Sequence, residues 1–382
     1  MKILLVHSYY QIRGGEDVVF EQEKFFLSQN NQVDTLSFYN KNGWRGALQF
    51  LLSVWNIFSA SALKKKIKAF KPDVIHIHNL HFGAGPIIIR TAKKLDVPVV
   101  ITLHNYRLLC PSATLLYNSE IFGDSLKTSF PWSAVYKKVY RNSKLQTFWL
   151  AFIIWVHKKA GTWNMVGTYL VLTEFAKQLF AQSSFGVPQN KFTVKPNFVE
   201  QPDLIPKMST NNFLFIGRLS VEKGVNVLIE AFRSLPYTIE IAGDGPLLKE
   251  IEIVCSKYSN IVYLGKLDKA GVQQKMHSDT ALIFPSVWYE GMPMTIIEAM
   301  SLGMPIIASN IGAMSKMIIH GYNGLHFEVA NSNQLAEQVT RWANMPSEEQ
   351  QVFKRNAVTS YNEYYTPQNN ITQILKVYND IT

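Results

Sequence analysis

Two cysteines in 382 residues leave no room for a disulfide framework or a cysteine-based zinc site, and they favour a reducing compartment. Charge is sparse as well. Charged residues make up 17% of the chain against 47% hydrophobic, too few for a disordered protein and apolar enough for sizeable cores. No apolar run reaches the roughly 18–20 residues that a membrane-spanning helix needs. The opening Met1-Lys2-Ile3-Leu4-Leu5-Val6-His7 has only a short apolar stretch and no small-residue cleavage site, so no signal peptide is expected. Internal repeats and low-complexity tracts are absent too. What remains is a folded, cytoplasmic-type chain, long enough for two or three domains at about 150 residues each.

The charge that exists is unevenly spread. Residues 1–200 hold 24 Lys and Arg against 11 Asp and Glu, whereas residues 201–382 hold 14 against 17. A basic first half beside a mildly acidic second half points to an anionic partner for the first half, or to a merely solubilising surface.

Short apolar runs alternate with helical patterns along the whole chain. Ile3–Val6, Val74–Ile77, Val97–Leu103 and Tyr169–Leu172 read as buried strands in the first half. Residues 200–212 are polar and proline-containing, the composition of a linker. A second series follows: Phe213–Ile216, Thr238–Ala242, Ile261–Leu264, Ala281–Phe284 and Pro305–Ala308. Val225, Leu228, Ile229 and Phe232 fall on one helical face between the first two of these strands. The fold expected is α/β, with two Rossmann-like domains whose parallel sheets face a cleft. In such sheets ligands bind beyond the carboxyl ends of strands, so the residues just after each strand carry the chemistry.

Those residues include good candidates. Arg218 offers a planar fork of donors and Lys223 a mobile point charge, both suited to phosphate oxygens at a strand–helix junction. After the strand Ala281–Phe284 comes Tyr289-Glu290-Gly291-Met292-Pro293-Met294-Thr295-Ile296-Ile297-Glu298. Gly291 permits close backbone approach, Pro293 suits a first helical turn, and Glu290 lies in the loop ahead of that helix. Glu298 projects about one turn inside the helix, and a carboxylate embedded in an apolar segment is costly unless it has a partner. Such a pair can accept hydrogen bonds from two sets of sugar hydroxyls. His104 ends the strand Val97–Leu103, a position that favours function, although a lone histidine is also a common structural residue. His76 and His78 alternate on one face of a strand without further ligands nearby in the run, and read as cleft-lining or core residues.

The Glu290/Glu298 pair has the E-x7-E spacing of retaining, nucleotide-sugar-dependent glycosyltransferases. Gly217-Arg218-Leu219 with Glu222-Lys223-Gly224, the turn Ile241-Ala242-Gly243-Asp244-Gly245-Pro246 and the turn Gly303-Met304-Pro305 complete a set that resembles glycosyltransferase family four, with its twin-Rossmann GT-B fold. The resemblance implies a donor domain over 199–366 and an acceptor domain over 1–198, with residues 367–382 packing back on the latter. Arg218 and Lys223 would bind the donor diphosphate, Glu298 the ribose and Glu290 the transferred sugar. The backbone of Gly291, Met292, Pro293, Met294 and Thr295 would complete the grip, with Lys266 and Leu267 near the base. Gly14 and Gly15 resemble the family's glycine-rich loop and would bring backbone N–H groups towards phosphate or acceptor. His104 would contact the donor sugar. No Asp-x-Asp pair occurs, so a metal-independent reaction without cofactor is expected, the donor being a UDP- or GDP-linked sugar. Extra cysteines that commonly accompany Cys110 in relatives are missing here, so no metal knuckle carries over.

The acceptor implied is a glycan or polyprenyl-linked glycan, in cell-surface polysaccharide synthesis. Two lysine-rimmed apolar segments, Leu48–Leu63 and Phe148–Val156, suit a headgroup boundary or a protein core equally well. The first reading puts the first domain on an anionic membrane surface, peripheral on the inner face. Alternatives on the same architecture are a nucleotide-sugar epimerase and a non-catalytic sugar-nucleotide-binding protein. A nucleic-acid binder is disfavoured, because the basic residues cluster with Trp and Ile and form no recognition module.

Overall fold

The computed structural model describes residues 1–11, 14–118, 120–203 and 210–382. Part of the expected linker, residues 204–209, therefore lies outside the described residues. The chain divides into two compact units, one of Met1–Tyr117, Phe122–Asn197 and Gln368–Thr382, the other of Asn118–Ile121 and Phe198–Pro367.

The first unit is built on six parallel strands: β1 (Lys2–Tyr9), β2 (Gln32–Tyr39), β3 (Val74–Ile77), β4 (Val99–Leu103), β5 (Thr168–Val171) and β6 (Phe192–Val194). Their order is β2-β1-β3-β4-β5-β6, with Ile3 opposite Val33 on one side and Val74 on the other. The order reverses between β1 and β3, which makes their C-terminal loops the switch point of this sheet. β1 runs three residues past the apolar stretch Ile3–Val6, because its polar continuation is buried and bonded. His7 Nε2 lies 2.7 Å from Asp17 Oδ1, and the Ser8 amide donates to the Asn79 carbonyl. β2 and β6 were outside the sequence expectation; β2 is a half-buried edge strand whose mixed residues form no apolar run.

Helix α1 (Gly15–Ser28) follows β1 and buries Phe20 and Leu27 against Ile3, Leu5 and Val74. The same core takes Ile374, Val377 and Tyr378 from the C-terminal helix Pro367–Asn379. Burial of Ile or Val side chains contributes roughly 1.5–3 kcal/mol each, so the tail is integral to this unit.

The expected apolar segment Leu48–Leu63 is two helices. These are α2 (Gly43–Leu52) and α3 (Ile57–Phe70), bent by 76°. Asn56 breaks them apart, its side chain accepting the Ser59 amide as a helix cap. α2 buries none of its residues, while α3 buries Leu63 and Ile67. The other segment forms α4 (Lys144–Lys159), which buries Leu150, Ala151, Ile153 and His157 and is thus a packed helix on one side. Among the described residues no single helix is long and apolar enough to cross a membrane.

The second unit has strands β7 (Phe213–Ile216), β8 (Ile239–Ala242), β9 (Ile261–Gly265), β10 (Ala281–Phe284), β11 (Ile306–Ser309) and β12 (Gly324–Phe327). All are parallel, in the order β9-β8-β7-β10-β11-β12, and Phe213 pairs with both Ile239 and Ala281. Counted within the unit this is 3-2-1-4-5-6, the doubly wound dinucleotide-binding order, with its switch point between β7 and β10. Val225, Leu228, Ile229 and Phe232 of α5 (Val225–Phe232) pack on the core with Trp342 and Phe353, as the helical spacing requires.

Candidate functional site

In the second unit the loops that leave β7 and β10 run side by side. The Val287 amide donates to the Glu222 carbonyl at 3.0 Å, and Ser286 Oγ lies 3.3 Å from the same oxygen. Such an approach leaves no space for a side chain at Gly224. Its φ is +72°, and a Cβ there would lie 1.8 Å from the Pro285 carbonyl oxygen. Gly243 plays the same part on the other flank, since its Cβ would meet the Gly217 carbonyl oxygen at 1.9 Å. The glycines of these motifs are therefore needed for backbone-to-backbone packing that fixes the Arg218 loop, which also donates the Leu219 amide to the Asp244 carbonyl at 2.9 Å.

On this frame Arg218 is exposed, without an ion pair among the described residues. Lys223 ends a short 3-10 turn, and its ammonium donates to Glu290 Oε1 at 2.6 Å. Two further donors converge on the same oxygen: Ser286 Oγ at 2.6 Å and Trp288 Nε1 at 2.8 Å. Neither serine nor tryptophan was singled out in the sequence. Their signal was position, just after a buried strand. Glu290 is buried, so these donors and the Lys223 charge offset the desolvation of its carboxylate.

Helix α6 (Met294–Ser301) begins one residue later than expected. Pro293 is its N-cap, with ψ of 115°, because the first helical hydrogen bond, from the Ile296 amide, closes on the Pro293 carbonyl. Gly291, Met292 and Pro293 thus form the approach to the helix, and Met294 and Thr295 its first turn. Glu298 follows one turn in. Its carboxylate has no hydrogen bond among the described residues, and burial raises its carboxyl above the usual range, opposed by the Lys269 charge. A half-buried acceptor without a protein donor among the described residues is an uncompensated group of this site. Lys266 and Leu267 lie on the loop after β9, exposed and half-buried respectively.

The first unit has its own constellation at the β1/β3 switch point. Gly14 is the N-cap of α1 and Gly15 its first residue, and a Cβ on either would meet nothing within 4 Å. The Gly14 amide is already engaged, donating to Asp17 Oδ2 at 2.7 Å. Asp17, in the first turn, is thus the partner of the Gly14 amide, while the carboxylate of the neighbouring Glu16 is not bonded to this helix end among the described residues. Instead Glu16 lines a small recess with His81, His104, Asn105 and Arg107. Its carboxylate accepts from Asn79 Nδ2 at 2.9 Å. Burial raises the Glu16 carboxyl to about 7, aided by Asp17 and countered by Arg107, Tyr10 and Asn105.

His104 stands at the end of β4 as expected. Burial holds it neutral, with a pKa pushed down to about 3, and its Nε2 lies 3.2 Å from His78 Nδ1. The two strand histidines do share one face, their ring centroids 4.3 Å apart. The expectation that no further ligand accompanies them is corrected, because α1 packs Glu23 against both and brings the three sets of ligand atoms within 4.8 Å. Lys195 is bonded to the same carboxylate, and Tyr378 lies 2.7 Å from His76 Nδ1. The buried ammonium supplies the positive charge that a cation would bring; burial, with the neighbouring histidines and this ammonium, lowers the affinity of both imidazoles for protons. This cluster is a buried ion-pair network.

Comparison with known proteins agrees with the architecture. The profile of Glycosyltransferase Family 4 matches residues 37–201, and that of Glycosyl transferases group 1 matches residues 200–359. An uncharacterised glycosyltransferase of Methanocaldococcus jannaschii is 25% identical over 361 residues, covering 90% of this chain and 89% of the relative. A glycosyltransferase from Rickettsia africae superposes with a TM-score of 0.73 at 16% identity, over 100% of this chain and 98% of that one. HepE of Anabaena, solved with UDP and glucose, gives 0.70 at 17% identity over the full length of both chains. Two doubly wound units in this arrangement along the chain define the GT-B fold. The chain has that fold and is related to the family 4 and group 1 glycosyltransferases.

Proposed function

We propose that the chain is a retaining glycosyltransferase that moves a sugar from a UDP- or GDP-linked donor to a hydroxyl of a glycan or lipid-linked glycan, in cell-surface polysaccharide synthesis. The observation that carries this reading is the second unit's switch point, where Lys223 and exposed Arg218 follow β7 and the carboxylate of Glu298, without a hydrogen bond among the described residues, stands in the helix that follows the β10 loop. Arg218 and Lys223 take the diphosphate and stabilise the charge that develops on it as the sugar leaves. Two of the three Lys223 ammonium hydrogens remain for phosphate oxygens after Glu290 has taken one. Glu298 accepts from the ribose hydroxyls, Lys266 and Leu267 border the base, and Glu290 with the Gly291–Thr295 backbone contacts the sugar. The resemblance assigns His104 to the donor sugar as well. HepE, solved with UDP and with glucose, supports the choice of donor class.

With retention, the acceptor hydroxyl attacks C1 from the face the diphosphate leaves, and a diphosphate oxygen takes its proton. The C1–O bond to phosphate breaks as the new glycosidic bond forms. The protein's work is then positioning and electrostatic stabilisation, which cationic side chains supply without a metal ion. Turnover that persists in EDTA is the matching expectation.

The exposed apolar side chains of α2 and the start of α3, namely Trp44, Leu51, Ile57 and Phe58, with Lys64-Lys65-Lys66 following, support docking on an anionic membrane surface. Retention on anionic vesicles at low salt tests this, and its absence ends the idea.

A thermal-shift panel of nucleoside diphosphates and their sugars tests the main reading. A ligand at a hundred times its Kd stabilises by about 2.7 kcal/mol. UDP or GDP compounds should raise the melting temperature, and Glu298→Ala should remove most of the rise. No shift with any nucleotide would refute the proposal.

A further inference from the structure

A cavity of about 660 Å³ opens between α2 and the N-terminal part of α4, within the size range of small-molecule pockets. Phe50 and Leu51 line it from α2, Leu145 and Trp149 from α4, and Phe82 from the loop after β3. The Trp149 indole donates to the Phe50 carbonyl at 2.9 Å, and Phe50 meets Phe82 edge to face at 4.9 Å, so these walls are fixed to each other. Lys41 and Arg141, both exposed, also line the cavity, and no acidic side chain among the described residues does.

Tyr10 lines this cavity too, and its hydroxyl bonds with Asn79, Arg107 and Glu16. One side chain therefore connects an apolar chamber with groups that line the polar recess, Glu16, Asn79 and Arg107. A ligand matched to this sequence of surfaces has an apolar chain, an anionic group and a hydroxyl-bearing head. Exposed apolar residues alone would equally fit a protein partner. Paired cations without a carboxylate select an anion joined to the chain.

We propose that this cavity binds the acceptor's lipid portion, an isoprenyl or alkyl chain carrying a phosphate, with the sugar head directed past Tyr10 into the Glu16 recess. The inference rests on the glycosyltransferase reading and narrows its acceptor to the lipid-linked class.

The probe is dodecyl phosphate below its micelle-forming concentration, titrated into the full chain and followed by calorimetry and tryptophan fluorescence. Dodecanol and inorganic phosphate serve as comparison ligands. Saturable binding is expected, with Leu51→Glu and Leu145→Glu weakening it at least tenfold. Both positions are largely exposed, so the variants should melt like the wild type. Replacing Lys41 and Arg141 by Ala should erase the preference for dodecyl phosphate over dodecanol. Absence of saturable binding, unaltered binding by both Glu variants, displacement by inorganic phosphate alone, or binding only to vesicles would each overturn the proposal. UDP and GDP binding measured on the same preparation reports separately on the donor reading.

Discussion

Lys223 and Glu290 stand 2.6 Å apart, ammonium to carboxylate, although 67 positions separate them in the chain. The cation assigned to the donor diphosphate is thus held in place by the carboxylate assigned to the sugar, and the two act as a unit. Lys223→Ala is expected to weaken donor binding and Glu290→Gln to slow transfer, each by roughly 10–100-fold, the worth of a charge-assisted hydrogen bond. The double variant should lose much less than the product of the two. Steady-state kinetics on the four proteins measures this coupling, and strict additivity would show that the pair is incidental.

Gly224 links the same pair to the backbone. An alanine there meets the Pro285 carbonyl and a φ of +72° together, so the β7 and β10 loops must separate. Gly224→Ala should cost at least about 1 kcal/mol of stability and displace Lys223. Nucleotide affinity falling together with the melting temperature is the expected result, read by calorimetry; unaltered affinity would place the diphosphate site elsewhere.

Glu16 gives the first unit a pH dependence. Its native carboxyl keeps a proton up to about pH 7, whereas the unfolded carboxyl releases it near 4.5. Between these values the native state binds more protons, so this group lowers stability as pH rises and has no further effect above pH 7. Asp17, Arg107, Tyr10 and Asn105 face the group, and His81 and His104 share its recess in neutral form. Relative to wild type, Glu16→Gln should gain stability between pH 4.5 and 7, by at most about 3 kcal/mol. Denaturant melts at pH 5 and pH 8 measure the difference, and an equal effect at both values would contradict it.

The buried pair of Lys195 and Glu23 joins β6 to α1, with Asn370 of the C-terminal helix accepting from Lys195 as well. Removing one partner leaves a buried charge uncompensated, which costs about 3–5 kcal/mol. Lys195→Met should destabilise the first unit by that amount, and the double change Lys195→Met with Glu23→Leu should recover a large part. Urea unfolding of the three proteins tests this, with no recovery in the double variant as the contrary result.

Much of the architecture was legible because continuous apolar runs mark buried parallel strands. Phe213–Ile216 and Ala281–Phe284 coincide with β7 and β10 to the residue. The strands that escaped, β2, β6 and β12, are short or lie towards the sheet edges, where mixed composition carries no run. His7 and Ser8 escaped for a related reason, since their burial is made possible by Asp17 and Asn79, partners that no local pattern announces. In the site, Arg218, Lys223, Glu290 and Glu298 were singled out by their positions after strands and by the family resemblance. That Lys223 and Glu290 form a pair was not, because it depends on the β7–β10 adjacency at the switch point. Nor was it visible that Asp17, three residues on, takes the Gly14 amide.

The most direct test of the account is the structure of the chain soaked with a UDP- or GDP-linked sugar. The pyrophosphate is predicted within hydrogen-bond distance of Arg218 and Lys223, with the ribose hydroxyls on Glu298. A pyrophosphate bound elsewhere, leaving these three side chains untouched, would contradict it.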